Sequence, residues 1–536
     1  MPARRGGPEN KAKPSGAQRP ASTTPATRNS RAAAAKEPRP SGRGQATLVA
    51  AILALVAACS VLWFHKTGQT LAYGDAEAHL NIARKLWDNY QPSYREIGTV
   101  WLPVPHFLML PFTYSNALYE TGLAGAIPAA ICWILAGTFL FSAVRKLANG
   151  AWEPAGCAVA IFGLNPNLLY LAATPMTEPI FYMEVAGLLY SLASYRESES
   201  ATALTAAILW TWLAALTRYE GWLLLPVASL FFVSHRLKHA LIYSALGALA
   251  PLYILGHNWW VYGDPLEFYH GEWSAQAIYK RTHSDGFAPF PGEHNLTMSW
   301  LYYRTAAELA IGKPAVWMGA AGLLVALFKR WYWFALLLLA GPALTLWGMY
   351  SGGGVEIFVP TLWPQSYYNT RYGLALLLPA ALGAGALVGL TPKLRGTVAL
   401  ILALAAVTPW LAFPRQDNWI VWKEAQINSA ERRSWTRQMA DRLALEYKPG
   451  EQILYAFGDL TGILREANIP LRATLQSGNQ LEWERTLARP DLFLTQAWVL
   501  DFEDGKAASA ARKRHYRVVA RVRREHNASP VLLYHQ

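Results

Sequence analysis

Long apolar runs without charged residues recur along this sequence and leave few ways to fold it. The first is ATLVAAILALVAACSVLWF at residues 46–64. A helix of about 20 apolar residues crosses the hydrocarbon layer of a bilayer, so repeated runs of this length are typical of membrane proteins. Only 15% of the 536 residues are charged, whereas soluble globular proteins contain about a quarter. We therefore expect many membrane-spanning helices.

Further runs bring the predicted number of spans to about eleven. Their approximate bounds are 123–144, 154–172, 176–195, 201–217, 221–234, 238–257, 314–328, 331–350, 373–391 and 397–413. The run at 221–234 is short for a bilayer crossing. The predicted fold is mainly α, a polytopic transmembrane bundle over residues 46–413.

The loops between these runs alternate in charge, which predicts an orientation. Cytoplasmic loops are enriched in Lys and Arg, and every second loop here is short and basic. These loops contain Arg145, Lys146, Arg196, Arg236, Lys238, Lys329, Arg330, Lys393 and Arg395. The alternate loops, including 65–122, 258–313 and 351–372, would then be extracytoplasmic. Together with the Ala/Arg-rich composition, this predicts a multi-pass protein of a bacterial inner membrane.

The net charge of +13 lies mostly in one terminal segment. Residues 1–45 have a net charge of +8 and contain no aromatic, Ile, Leu or Val residue. A segment so poor in apolar residues is predicted to be a disordered cytoplasmic tail beside membrane lipids. The charge therefore does not indicate a nucleic-acid partner. Cys59, Cys132 and Cys157 all fall in apolar runs, which favours neither a disulfide framework nor a metal cluster.

The last 123 residues differ from the rest in composition and predict an extracytoplasmic α/β domain at 414–536. The expected strands lie at 453–457, 471–475, 491–500, 516–522 and 530–535, with helices at 459–468 and 479–488 between them. The segment contains no Gly-rich phosphate loop and no catalytic triad motif. An accessory or acceptor-positioning role is the expectation.

The stretch AYGDAEAHL, directly after the first span, contains charged residues where such groups are costly. Asp75 and His79 have the i, i+4 spacing that places them on one face of a helix. We predict a short helix along the membrane interface, with Asp75 at its N-terminus. Three plainer interpretations stay open: Asp75 caps the helix, Glu77 is a solvated charge, and His79 is a structural hydrogen-bonding residue.

Other polar residues are predicted at the same membrane face, at the ends of different spans. They are Trp101 and His106 in 98–112, Glu178 in ATPMTEPIF, Arg218 and Glu220 in LTRYEGW, and Tyr368, Arg371 and Tyr372 in YYNTRYGL. Singly, Arg218 could pair with Glu220, and Arg371 could reach lipid headgroups. Their convergence at one face is what an active site requires.

These motifs resemble the GT-C superfamily of membrane glycosyltransferases, which take sugar from a polyprenyl-phosphate donor. The likeness is carried by GDAEAH, TPMTEP and TRYEGW, and by a many-span core followed by a C-terminal domain. It covers residues 46–413 and is most similar to bacterial protein-mannosyltransferase-like and lipid-A-arabinosyltransferase-like members.

The resemblance implies transfer of a sugar from polyprenyl phosphate to a hydroxyl of a glycan, lipid or protein acceptor, with inversion. Asp75 would be the general base, and Glu178 would assist it or hold acceptor hydroxyls. Arginine suits phosphate oxygens, so Arg371 and Arg218 would neutralise the departing phosphate. Further substrate contacts would come from Glu77, His79, Trp101, His106, Glu220, Tyr368 and Tyr372.

The sequence departs from two patterns of the superfamily. Ala76 separates Asp75 from Glu77, whereas protein mannosyltransferases have adjacent Asp-Glu. Metal-dependent oligosaccharyltransferases carry D-x-D and a WWD-like motif, but this chain has D-x-E and no such motif in 414–536. We therefore expect no cofactor and no divalent metal.

Two other classes remain open from the sequence. A polytopic transporter also has many spans with polar groups among them, although transporters often contain internal repeats, and none is visible here. A non-catalytic GT-C-like scaffold of the cell envelope is excluded only by Asp75 and its neighbours. Within the enzymes, a ligase that moves a whole glycan is the alternative.

Overall fold

The computed structural model describes residues 43–284, 288–412, 418–525 and 528–536. Most of the predicted basic tail, residues 1–42, lies outside the described residues. Residues Gly42–Gln536 form one compact unit, in which the apolar helices and the C-terminal segment are packed together.

Helices dominate the described residues. In chain order they are α1 Arg43–Lys66, α2 Gly74–Lys85, α3 Pro103–Thr113, α4 Asn116–Thr121, α5 Leu123–Leu147, α6 Trp152–Gly163, α7 Pro166–Ala172, α8 Glu178–Ser198, α9 Ala201–Ala215, α10 Glu220–Val233, α11 Leu237–Gly247, α12 Leu249–Tyr262, α13 Glu267–His270, α14 Ala275–Ser284, α15 Leu296–Ala307, α16 Lys313–Phe328, α17 Tyr332–Tyr350, α18 Leu377–Val388, α19 Arg395–Ala412, α20 Ile420–Glu446, α21 Thr461–Glu466, α22 Gln480–Ala488, α23 Pro490–Phe493 and α24 Lys506–Lys513. A π-helical turn, Glu308–Gly312, joins α15 to α16, and 3-10 turns occupy Tyr94–Ile97, Thr370–Leu376 and Leu471–Ala473.

Within the described ranges, seven helical segments are long and apolar enough to cross a membrane, or eight if one bent pair counts as a span. They are α1, α5, α11 with α12, α15 with α16, α17, Thr370–Val388 and α19, and the bent pair is α6 with α7, at 68°. The predicted mainly α, multi-pass bundle is confirmed, with fewer such segments than the eleven runs suggested.

The difference arises from three of the predicted spans, all of which are helical. Helices α9 and α10 have 15 and 14 residues, which is short for a bilayer. Helix α8 is long enough, but its glutamates and tyrosines lower its hydropathy, and it lies buried among other helices. A helix surrounded by protein does not need an apolar surface on every side.

Close backbone contact holds the central helices together at glycine. A Cβ atom on Gly322 of α16 would lie 1.9 Å from the carbonyl oxygen of Gly383 of α18. Small residues at such crossings are typical of helices that pack in a membrane, where dispersion contacts replace the hydrophobic effect. Neither position has room for a side chain.

The basic loops meet at one end of the helices. Lys146 contacts Glu197 at 2.6 Å, and Arg236 contacts Glu199 at 2.5 Å. Arg196 donates to the carbonyl oxygen of Arg330 at 3.5 Å. The loops that the sequence places on one side of the membrane therefore lie together in space.

The C-terminal segment contains the predicted α/β arrangement. Strands β1 Ile453–Tyr455, β2 Thr474–Gln476, β3 Trp498–Phe502, β4 Arg517–Val522 and β5 Val531–His535 form one sheet in the order β2-β1-β3-β5-β4. The β1 strand is parallel to β2 and β3, and β5 is antiparallel to β3 and β4. The predicted strand 491–500 corresponds to β3, which begins later than predicted because Pro490–Phe493 forms a helical turn.

Candidate active site

Asp75 lies in the first turn of α2, which begins shortly after α1 ends. The N-cap position is Tyr73, and no side chain caps the helix there, so Asp75 is not a capping residue. Instead its carboxylate accepts a hydrogen bond from Arg371, with 2.5 Å between Oδ2 and Nη2. The Asp75 side chain is 41% exposed, so a substrate can reach it.

Arg371 lies in the 3-10 turn that precedes α18, and its side chain is 8% exposed. Its Nη2 contacts Asp75, and its Nε lies 3.1 Å from Oε1 of Glu178. The guanidinium group also lies over the rings of Tyr73 and Tyr372, at 4.8 and 5.2 Å from their centroids. Two carboxylates and two aromatic faces thus fix this one arginine.

Arg218 completes the arrangement from the turn between α9 and α10. It contacts Glu178 at 3.3 Å and Glu220 at 2.8 Å, and it donates to the hydroxyl of Thr177 at 3.0 Å. We call Asp75, Glu178, Arg218, Glu220 and Arg371 the carboxylate–arginine cluster. The residues come from four separate parts of the chain, and the local Arg218–Glu220 pair is one component of the cluster.

Glu178 is the buried centre of the cluster. It is 5% exposed and stands at the start of α8, where the helix dipole favours a carboxylate. Its Oε1 contacts both arginines. Its Oε2 is buried and has no hydrogen-bond partner among the described residues, so it can accept a hydrogen bond from a hydroxyl that enters the site.

His79 of α2 and His106 of α3 form a buried pair. Nδ1 of His79 is 3.1 Å from Nε2 of His106, and the His79 ring packs on Trp101 at 4.2 Å. Burial, together with the nearby Arg371 and Arg218, lowers the pKa of His79 to about 3. Burial also lowers the pKa of His106. Neutral imidazoles do not supply positive charge to a phosphate, and one nitrogen of each ring is engaged in the contact between the two histidines.

Tyr372 and Tyr368 differ in their relation to the cluster. The Tyr372 ring lies beside both guanidinium groups, 5.2 Å from Arg371 and 5.8 Å from Arg218. Tyr368 is 42% exposed and pairs through its backbone with Phe358. Tyr372 therefore shapes the cluster, whereas Tyr368 offers an open aromatic face next to it.

Glu77 does not join Asp75, although the sequence predicted it among the substrate contacts. Residues two apart point in different directions on a helix, and Glu77 turns toward the C-terminal segment. Its carboxylate contacts Arg465 at 2.9 Å and Arg432 at 3.5 Å. It is 8% exposed, so it is a paired buried charge rather than a solvated one.

Glu424 of α20 is a site residue that the sequence did not indicate. It is 2% exposed and accepts hydrogen bonds from the Tyr73 hydroxyl, the Asn369 backbone N–H and the Thr370 backbone N–H and hydroxyl. One carboxylate thereby joins the residue before α2 to the turn that carries Arg371. Nothing in the local sequence around Glu424 points to partners some 350 residues away.

Metal ligands are not grouped in the part of the chain that the structure describes. Within it, no set of three or more His, Cys, Asp or Glu side chains is arranged to hold an ion. The three cysteines are free thiols.

The many-helix bundle followed by a C-terminal α/β unit was compared with solved structures. The solved structure of ArnT from Cupriavidus metallidurans in the apo state matches this chain with a TM-score of 0.53 and 14% sequence identity, over 92% of this chain and 98% of that one. The same protein bound to undecaprenyl phosphate matches with a TM-score of 0.47 and 13% identity over the same shares. No protein-family model and no curated protein matches the sequence.

The fold of the chain is therefore the ArnT-like GT-C fold. The resemblance that the three short motifs suggested is confirmed at the level of fold.

Proposed function

We propose that this protein is a membrane glycosyltransferase that moves a sugar from a polyprenyl-phosphate donor to an acceptor hydroxyl at the extracytoplasmic face. The observation that carries the proposal is the Asp75–Arg371 contact within the carboxylate–arginine cluster, at the exit of the first span. The GT-C fold supports the reaction class.

Arg371 is the proposed ligand of the donor phosphate. The cluster holds three carboxylates against two guanidinium groups, so a phosphate must displace a carboxylate from an arginine. Asp75 is more exposed than Glu178, whose side chain is 6% exposed. The Asp75 side chain can therefore change its rotamer into solvent with a small loss of free energy. A phosphate bound in a fork by Arg371 is a charge-assisted interaction that replaces the one lost.

Displacement of Asp75 by the phosphate prepares the chemical step. Once Arg371 contacts the phosphate, the Asp75 carboxylate is free to accept the proton of the acceptor hydroxyl as the sugar–phosphate bond breaks. The phosphate leaves without protonation because it is already a stable anion. The acceptor oxygen then attacks the anomeric carbon from the face opposite the leaving phosphate. A single displacement of this kind inverts the configuration of that carbon.

Glu178 and the tyrosines are proposed to hold the sugar. The buried Oε2 of Glu178 has no hydrogen-bond partner among the described residues and can accept a sugar or acceptor hydroxyl. Tyr368, Tyr372 and Trp101 can place aromatic faces beside the sugar ring.

The test of the base assignment is Asp75→Asn, with transfer from a polyprenyl-phosphate sugar measured in membranes at matched expression. We expect turnover to fall about 10²–10⁴-fold, because the amide cannot accept the proton. The concentration of donor needed for half-maximal rate should fall or stay constant. In the variant, the donor phosphate does not have to displace the Asp75 carboxylate from Arg371.

The matched control is Asp459→Asn, which removes an exposed carboxylate in the C-terminal segment. It should transfer sugar at the wild-type rate. Near wild-type turnover by Asp75→Asn would show that this carboxylate is not the base. A product with the donor's anomeric configuration, determined by NMR, would contradict inversion.

A further inference from the structure

A polar cavity of about 200 Å³ lies on the Glu77 side of α2, outside the carboxylate–arginine cluster. Its walls come from the residues just after α1, the end of α4, and the facing sides of α20 and α21. Helices α1 and α5 are candidate spans, and the cavity lies where α1 ends and α5 is about to begin. It is therefore at the level where a membrane meets water.

Arginines dominate the wall that α20 and α21 supply. The cavity is lined by Arg432, Arg433, Arg437 and Arg465. Arg432 and Arg465 are engaged by Glu77, at 3.5 and 2.9 Å. The pairing of these two leaves Arg433 and Arg437 as the arginines whose charge is open to a ligand.

Among the described residues, Arg433 and Arg437 have no carboxylate within ion-pair distance, although Glu466 of the same cavity attracts both at longer range. In the described ranges neither forms an ion pair, and Arg433 donates only to the carbonyl oxygen of Gly68, at 2.9 Å. The two residues are one turn apart on α20, a spacing at which like charges repel and destabilise a helix. An anion between the two guanidinium groups removes this repulsion.

Two buried donors in the same cavity also lack acceptors. Thr70 is 3% exposed, and its hydroxyl has no hydrogen-bond partner among the described residues. The Arg465 side chain is 8% exposed, and its Nε is likewise unpartnered. Buried donors are almost always satisfied in native proteins, because leaving one unpaired is costly. Both are explained if an oxygen-rich anion occupies the cavity.

An adjoining cavity gives such an anion an approach. It measures about 530 Å³ and is lined by Arg433 and Arg437 as well, together with other residues along α20. The arginine pair thus lies on the boundary between the two cavities. The other residues of this adjoining cavity are mostly polar, so a hydrated anionic group can reach the arginine pair through it.

We propose that Arg433, Arg437, Arg465 and Thr70 form a binding site for a phosphate group, separate from the site of sugar transfer. Arginine matches tetrahedral phosphate oxygens with its fixed fork of donors, and a threonine hydroxyl adds a further donor. The phosphate is supplied by the headgroup of an anionic lipid or by free phosphate. This site does not depend on the reaction proposed for Asp75.

The test is direct binding to the full chain, purified in a neutral detergent. Inorganic phosphate and short-chain phosphatidic acid are titrated in parallel by calorimetry. We expect saturable binding of phosphatidic acid, weakened about tenfold or more by the double substitution Arg433→Gln/Arg437→Gln, which removes two charge-assisted contacts. Single Arg437→Gln should give a smaller loss and leave sugar transfer unchanged.

The matched control is Arg442→Gln, an exposed arginine further along α20 that lines neither cavity. If it weakens binding as much as Arg437→Gln, the attraction is a general effect of surface charge and the site is refuted. Absence of saturable binding of either probe also refutes it. Binding of phosphatidic acid alone identifies a lipid headgroup, whereas equal binding of both probes identifies free phosphate.

Discussion

Arg371 is the residue through which the candidate site is assembled. It contacts Asp75 and Glu178 at the same time, and it lies against two tyrosine rings. A buried guanidinium group without such partners would be strongly unfavourable, so the arginine and the two acids depend on each other. The contact with Asp75 is the one that the solvent reaches, which makes it the place where substrate can compete.

Substitution of Arg371 should separate donor binding from acceptor binding. In Arg371→Lys the positive charge remains, but the fork that binds phosphate at two points is lost. We expect the half-saturating donor concentration to rise about tenfold or more, with little change for the acceptor. Steady-state kinetics with each substrate varied in turn measures this. Equal changes for donor and acceptor would indicate a structural arginine, and exposed Arg485→Lys serves as the control.

The buried His79 predicts how stability varies with pH. Its folded-state pKa of about 3 lies below the value of the unfolded chain, so between these values the unfolded state binds a proton that the folded state does not. Stability should therefore fall as pH drops through and below about 6.5. Thermal unfolding of wild type and His79→Asn between pH 7 and pH 5 tests this. The variant should lose less stability over that interval, and an identical loss would contradict the assignment.

The different faces of helix α2 contact different parts of the molecule. Asp75 faces the carboxylate–arginine cluster, and His79 packs against Trp101 behind it. Glu77, on another side, pairs with Arg465 and Arg432 of the C-terminal segment. A short helix with charges on two sides is stable here because each charge has a partner on a different element. The position of the proposed base is thereby linked to the C-terminal segment.

Glu424 of α20 also connects the C-terminal segment to the candidate site. Glu424→Gln leaves one oxygen for the donors that two oxygens now serve, so Tyr73 and the turn carrying Arg371 should shift. We expect turnover to fall about tenfold, in line with the loss of a hydrogen bond to a charged group. Donor affinity should change less, because Arg371 itself remains. Partial rescue by Glu424→Asp is expected, whereas Glu446→Gln at the other end of α20 should have no effect.

At the scale of the whole molecule, charged contacts join the C-terminal segment to the first loop. Asp88, whose side chain is 1% exposed, binds Nε of Arg84 at 2.7 Å and accepts from the backbone of Arg472 at 3.2 Å. Lys85 contacts Glu96 at 3.4 Å, and Glu96 also accepts from Gln476. The interface is polar and buried, so its hydrogen bonds and ion pairs form in only one relative placement of the two segments. The C-terminal segment is thus part of the structure that holds the site.

Removal of Asp88 should destabilise the entire chain. In Asp88→Ala the Arg84 guanidinium stays buried without its carboxylate, a change that costs about 3–5 kcal/mol in comparable cases. Thermal unfolding in detergent should show a clearly lower midpoint. The control is Asp491→Ala, which breaks an exposed pair with Arg489 at the same 2.7 Å and should have little effect. Equal shifts for the two variants would contradict the importance of burial.

The sequence by itself determined which parts of this chain are helical bundle and which are α/β. Hydropathy, charge spacing and strand periodicity are properties of neighbouring residues, so a single chain displays them. The short helix at Asp75 and the strands follow from such local patterns, although β2 begins only at Thr474, because Leu471–Ala473 forms a 3-10 turn.

Only the tertiary structure decided which charged residues form pairs. Asp75 and Glu77 are nearly adjacent in sequence, yet one faces Arg371 and the other faces Arg465. Glu424 reaches Tyr73 across some 350 residues. Pairing in a buried site depends on the three-dimensional placement of whole helices, because the electrostatic and desolvation energies of a charge are set by everything around it, not by its neighbours in the chain.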